Sequence, residues 1–497
     1  MMITSAQTKR LTLDRLLLLC WYITVFSAPF GDCLFRVALP FGGHLFLFRL
    51  MILLTCAVYL VYLLRRRENP FRGLSRPERW FVVMIGCMFA YGLVSALRAI
   101  SLSAWFSKFF TMCQMFAMTF LFLKLCRNPK VMRTTMCVIG ISVLFCALGG
   151  FAELWHGPFF DTPCRDEAYV FFNRGFYAPI FTLFNPNGFA TYLIFSLECL
   201  YLYMAHGWQN PTTARNKRLL WVLTAGTALT IFLCCADSGR LSLLSIPIIL
   251  LGLALWLLIR YKRGLWVFAA IALVTTFIYV GENYSEVKYR ADQFIVQVQK
   301  SFEKSEPSVP DQPDTPTPDQ PDAPTPDQPE PPPAKNKHGT LHTLKPGIQN
   351  DPAYWDLKES DDFRLMLIMD CFHLFLESHG LGIGLGNLQG APHCFVMEVL
   401  AEFGIFALLP LLAVGISILK ALWLEFYTAL RTRSKTRIAM PLLLFFTALA
   451  YAPLSTANAS SWSLQAMWFY LAALLLYSGQ LSEENRGETS HLTDIVP

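Results

Sequence analysis

Charge is what this sequence has least of. Asp, Glu, Lys and Arg make up 15% of its 497 residues, where soluble chains carry about 25%. With 54% hydrophobic residues and a mean hydropathy of +0.42, the chain holds more apolar surface than an aqueous core can bury. That excludes a soluble multidomain architecture, and no stretch reads as a second soluble domain. The net charge of +6 is small for this length, which gives a nucleic-acid partner no support. None of the 14 cysteines forms a C-x-x-C pair, so zinc-ribbon and thioredoxin-like readings have no basis. Most lie inside apolar runs (Cys20, Cys56, Cys87, Cys113, Cys137), where they act as small hydrophobes. Cys33, Cys164, Cys371 and Cys394 fall outside or near the outer surface, and a disulfide among them has no pairing that the sequence selects. No Asp-x-Asp motif occurs in the outer segments, so a nucleotide-sugar donor held through a divalent metal is not supported; neither metal nor cofactor is expected.

What the chain has in abundance is apolar runs of membrane length. A helical span needs roughly 20 mostly apolar residues to cross about 30 Å of hydrocarbon. About 12 runs qualify: 12–30, 44–64, 79–98, 104–125, 133–153, 183–205, 219–236, 240–259, 264–280, 393–419, 437–455 and 463–479. The first lacks a small-residue cleavage signal and is read as a retained helix. The short connections alternate in basic charge. One set holds Lys9 and Arg10; Arg65–Arg67 with Arg72, Arg76 and Arg79; Lys124, Arg127, Lys130 and Arg133; Arg215, Lys217 and Arg218; Arg260, Lys262 and Arg263; and Arg431, Arg433, Lys435 and Arg437. The other set holds only isolated arginines: Arg36, Arg98, Arg165, Arg174 and Arg240. The positive-inside rule then places both termini in the cytoplasm, which an even number of spans also requires. The expected fold is all-α: a polytopic integral membrane protein of about 12 transmembrane helices with one large extracytoplasmic loop.

The organisation follows. Residues 1–280 carry helices one to nine, 281–392 form the outer loop, 393–480 carry helices ten to twelve, and 481–497 are a cytoplasmic tail. The loop holds about half of the acidic residues. After a first part, 281–305, comes a Pro-rich acidic spacer, 306–335, with an octapeptide repeat: PDQPDTPT, PDQPDAPT, PDQPEPPP. Proline at this density favours polyproline II, and three octads would reach on the order of 75 Å. It reads either as a low-complexity insertion or as a spacer through cell-wall polymer, and in neither case as a seat of catalysis. In the last part, 336–392, Asp361 and Asp362 suit the N-terminus of an apolar helix over 363–377. At 100° per residue Asp370, His373 and Glu377 share one face and Arg364 lies roughly opposite, either snorkelling to headgroups or holding a buried anion. The turn GLGIGLGN (380–387) permits a tight bend between a re-entrant or interfacial helix and a membrane helix. Without a preceding strand it is a poor dinucleotide loop.

Four stretches, in this order, resemble the O-antigen ligase and polymerase family of bacterial envelope glycosyltransferases. FNPNGFA (184–190) resembles its N-P-N helix entry, with Asn185 and Asn187. DSGRLSLL (237–244) resembles its Ser-Arg-Gly outer turn. FRLMLIMDCFHLFLESHGLGIGLGNL (363–388) resembles its Arg-led helix and Gly-x-Gly-x-Gly-Asn turn, with Gly382, Gly384 and Gly386. HCFVMEVLAEFG (393–404) is similar to its histidine motif, with Cys394 where the family usually has Asn, Ser or Gln.

The resemblance implies a GT-C-like fold in the bacterial cytoplasmic membrane. It also implies transfer of a glycan from undecaprenyl pyrophosphate to an acceptor hydroxyl on a lipid- or polymer-anchored acceptor at the outer face. Arg240 and Arg364, with Arg174 as a third, would then bind the diphosphate, since guanidinium is a permanent bidentate donor to phosphate. His393, with an imidazole pKa near 6.5, would take the acceptor's proton. Glu402, about 2.5 turns further on, is expected to pair structurally with Arg49 or Lys108. Ligase and polymerase differ only in acceptor and both stay open. A 12-helix secondary transporter or polysaccharide exporter is the reading from another class, and an inactive export scaffold is a third.

Overall fold

A computed structural model describes residues 3–31, 33–34, 36–39, 44–160, 180–183, 186–207, 361–388, 394–432, parts of 438–449 and 465–493. Spans seven, eight and nine and the proline octads lie outside the described residues, as does most of span eleven. The described chain is almost entirely helical: α1 (Ile3–Phe26), α2 (Leu47–Arg66), α3 (Arg76–Ser95), α4 (Leu102–Leu125), α5 (Pro129–His156), α6 (Pro186–Gly207), α7 (Asp361–Glu377), α8 (Phe395–Phe403), α9 (Ile405–Arg431) and α10 (Gln465–Thr493). One short antiparallel pairing, of two residues on each side, joins these helices among the described residues. In it β1 (Val37–Ala38) meets β2 (His44–Leu45) with Val37 opposite Leu45.

Among the described residues five helical segments are long and apolar enough to cross a membrane: Leu47–Arg66, Arg76–Arg98, Leu102–Leu125, Pro129–Glu153 and Ile405–Arg431. They coincide with expected spans two, three, four, five and ten, and the chain is a helical membrane protein. The tenth differs in its start. The expected run from 393 is broken at Gly404, so a short helix, α8, precedes the crossing helix α9, which continues to Arg431.

Helix starts follow capping chemistry. At α3 the Glu78 carboxylate accepts the Ser75 N–H at 2.6 Å, and at α5 the Asn128 side chain accepts the Lys130 N–H at 3.0 Å, with Pro129 in the first turn. Glu78 also pairs with Arg127, which ties the start of α3 to the α4–α5 connection within the basic set of loops.

Among the described helices α10 packs on α3, α4, α6 and α9, while α1 joins α2 and α5. The described side chains of α10 are buried almost all round, as a helix inside a bundle requires. Trp468 meets Phe116 and Phe395 edge-on at 5.5 and 5.8 Å, and Tyr470 meets Phe195 at 5.6 Å.

Candidate functional site

The glycine turn is hydrogen-bonded to several separate parts of the described chain. Helix α7 buries Leu367, Cys371 and Leu374 and exposes Asp370, His373 and Glu377, the polar face expected from its periodicity. Two residues past its end stands His379, whose φ of 54° turns the chain into segment 380–387. That segment runs beside the end of α8. The N–H groups of Ile383 and Gly384 donate to the carbonyls of Ala401 and Glu402 at 2.9 and 3.0 Å, and the Ile405 N–H donates to the Gly380 carbonyl at 2.9 Å.

The glycines are required by contact as well as by angle. A Cβ on Gly382 would lie 2.6 Å from the Glu402 carbonyl oxygen, and one on Gly386 would lie 2.8 Å from the Trp105 backbone. Both have φ near +80°, which side chains disfavour.

Three side chains stitch the turn to the other end of the sequence. The Tyr91 hydroxyl donates to the Gly382 carbonyl at 3.0 Å, and the Ser95 hydroxyl accepts the Leu385 N–H at 3.3 Å. Asn387 spends both ends of its amide on backbone. Its Oδ1 accepts the Ile100 N–H at 3.0 Å, and its Nδ2 donates to the carbonyls of Arg98 and Ile383 at 3.1 and 2.8 Å.

Beneath the turn lies a charge cluster. Lys108 Nζ stands 2.8 Å from Glu402 Oε1 and 2.5 Å from Glu398 Oε1. Glu402 is completely buried, and its Oε1 also accepts the Gly386 N–H at 3.0 Å. Of the two partners expected for Glu402, packing selects Lys108. Arg49 instead donates to the His44 carbonyl and to Thr111 Oγ1, both at 2.8 Å, and lies over the Phe46 ring. Burial, with Glu398 and Asp370 nearby, pushes the Cys371 thiol up to about 12, and burial also raises that of Cys394. Cys371 and Cys394 are free thiols, while Cys164 lies outside the described residues.

Of the other expected site residues, Arg364 occupies the first turn of α7 and Asn187 the first turn of α6, described as backbone. Arg174, Asn185, Arg240 and His393 lie outside the described residues, although Cys394, next to His393, occupies the N-cap position of α8. Among the described residues no group of three or more His, Cys, Asp or Glu side chains is arranged to hold a metal ion.

Three features escaped the sequence reading. Glu398 is a second carboxylate on Lys108, which its spacing of one helical turn from Glu402 signals in retrospect. Glu153 accepts three backbone N–H groups, from Phe159, Ile180 and Phe181 at 3.0, 3.0 and 2.6 Å, and so closes the base of the loop after α5. Glu198 is completely buried on α6 with neither carboxylate oxygen hydrogen-bonded among the described residues.

No protein-family model matches the chain. It is similar to the teichuronic acid biosynthesis protein TuaE of Bacillus subtilis (strain 168), 22% identical over an alignment of 508 residues that covers 95% of this chain and 87% of that protein. The similarity is distant and runs through nearly the whole of both chains.

Proposed function

We propose that the protein is an integral membrane glycosyltransferase of bacterial envelope polysaccharide synthesis, moving a glycan from undecaprenyl pyrophosphate to an acceptor hydroxyl at the outer membrane face. The observation that carries this reading is the end-to-end similarity to a protein of teichuronic acid biosynthesis. The ordered O-antigen ligase-like motifs add the chemistry.

In this mechanism the acceptor oxygen attacks the anomeric carbon as the bond from that carbon to the diphosphate oxygen breaks. His393 takes the hydroxyl proton, and the diphosphate leaves with its charge countered by Arg240 and Arg364, with Arg174 as a further donor. Direct attack inverts the anomeric centre. The guanidinium groups supply the counter-charge that a divalent metal supplies elsewhere, so the step runs without one. Gly382, Gly384 and Gly386 shape the turn between Arg364 and His393, and Asn185 and Asn187 take a structural or substrate-lining role.

The test is conversion of a carrier-linked oligosaccharide by the purified protein. His393→Ala and Arg240→Ala should each lower turnover by roughly a hundredfold or more. Full activity in both variants would remove the mechanism. Glycan lengths in a deletion strain assign the acceptor: single units accumulate if the protein is a polymerase, long carrier-bound chains if it is a ligase.

A further inference from the structure

The Lys108 cluster lies where two parts of the proposed site meet. Helix α8 packs on α7 and α9 and touches α3. From α4, Lys108 reaches it with an ammonium group that contacts Glu398 and Glu402 together. One oxygen, Glu402 Oε1, receives both Lys108 and the Gly386 N–H. A single atom therefore ties α4, α8 and the glycine turn to one another.

Apolar helix packing tolerates small sliding, whereas a buried ion cluster does not. Its attraction falls off steeply with geometry, and separating it leaves charge in a low-dielectric interior. Glu402 is completely buried and Glu398 nearly so, which keeps both away from a glycan. They serve by holding other groups in place.

We infer that Lys108, Glu398 and Glu402 are positioning residues that set the spacing between the two halves of the glycosyl-transfer site. Glu402 fixes the turn that ends α7, whose first turn carries Arg364. The same carboxylate and Glu398 fix α8, whose N-cap Cys394 adjoins His393. This inference rests on the proposed function, because it assigns Arg364 to the leaving diphosphate and His393 to the attacking hydroxyl. Reacting groups must be aligned closely, and a displacement of about 1 Å can cost on the order of a hundredfold in rate.

The experiment uses the full-length protein in nanodiscs with three variants: Lys108→Met, Lys108→Arg, and the triple Lys108→Met, Glu398→Gln, Glu402→Gln. The triple variant removes the buried charge while keeping side-chain volume, which guards against simple misfolding. Amide exchange of 380–387 and turnover of a carrier-linked oligosaccharide are both measured, per molecule of folded protein. Lys108→Met should speed exchange of the turn by about tenfold. In the triple variant abundance should return to the wild-type level while kcat stays roughly 10- to 100-fold low and KM changes by less than about twofold. Lys108→Arg, which keeps the cation, should recover part of kcat.

Wild-type kcat in the triple variant overturns the positioning role and leaves a purely structural one. Unchanged exchange in Lys108→Met overturns it whatever the activity. A wild-type protein that transfers no glycan, but whose turn exchanges faster in Lys108→Met, overturns the glycosyl-transfer reading and supports the clamp.

Discussion

Gly404 and Gly380 meet backbone against backbone. The Ile405 N–H donates to the Gly380 carbonyl at 2.9 Å, and a Cβ built on Gly404 would overlap that same oxygen. Gly404 also has φ +58° and ψ −142°, a combination that side chains avoid. The contact is where the tenth expected span divides into α8 and α9. Gly404→Ala therefore combines backbone strain with a steric clash, and should destabilise the protein by roughly 3 kcal/mol or more. Thermal unfolding in detergent checks this, and an unchanged midpoint would show that the two glycines do not hold this approach.

Asn387 replaces water for three backbone groups at once. Asn387→Ala should cost about 1–2 kcal/mol, since the bonds are partly solvated. Asn387→Asp should cost no less, because a carboxylate cannot donate to the carbonyls of Arg98 and Ile383. Chemical denaturation of both variants decides the ranking.

Glu153 closes a loop with acceptor atoms alone. Its two oxygens take three N–H donors, so Glu153→Gln turns an NH2 group toward donors it cannot accept from. A loss of about 2–4 kcal/mol is expected. Faster limited proteolysis between α5 and α6 is the direct measurement, and wild-type cleavage kinetics would count against the closure.

Glu198 is the opposite case, a completely buried carboxyl for which the described residues offer no hydrogen bond. Burying a polar group unpaired is costly, so Glu198→Leu should raise stability by about 1–3 kcal/mol. A lowered melting midpoint would reveal a partner that the carboxyl needs.

Cys371 lies on the buried face of α7 with its thiol pushed up to about 12. At neutral pH it holds on the order of a thousandfold fewer thiolates than an ordinary cysteine. Maleimide labelling of Cys371 should therefore be slow at pH 7 and rise with pH, as thiolate forms. A cysteine placed at exposed His373 should label quickly throughout. Equal rates at pH 7 would contradict the facing of α7.

How far the sequence reaches is clear from α7. Its alternation of Leu367, Cys371 and Leu374 with Asp370, His373 and Glu377 is a local period, and the structure buries and exposes those sets accordingly. Local periodicity carries no information about which helix the apolar face meets. The pairing of Lys108 with Glu402 crosses 294 residues, and the sequence named two cations for that carboxylate without ranking them. Glu398 passed unnoticed because an acidic residue on an interfacial helix looks like any solvated one until its neighbour is known.

The low charge content and the spacing of apolar runs determined on their own that this chain belongs in a membrane, because lipid solvates apolar faces and penalises every unpaired charge. Composition and local period suffice for that conclusion. Tertiary structure alone decided that Gly404 breaks the helix, that Asn387 joins the turn to the connection between α3 and α4, and that Lys108 holds two carboxylates. Each depends on atoms brought together from distant parts of the chain, at distances that only packing sets.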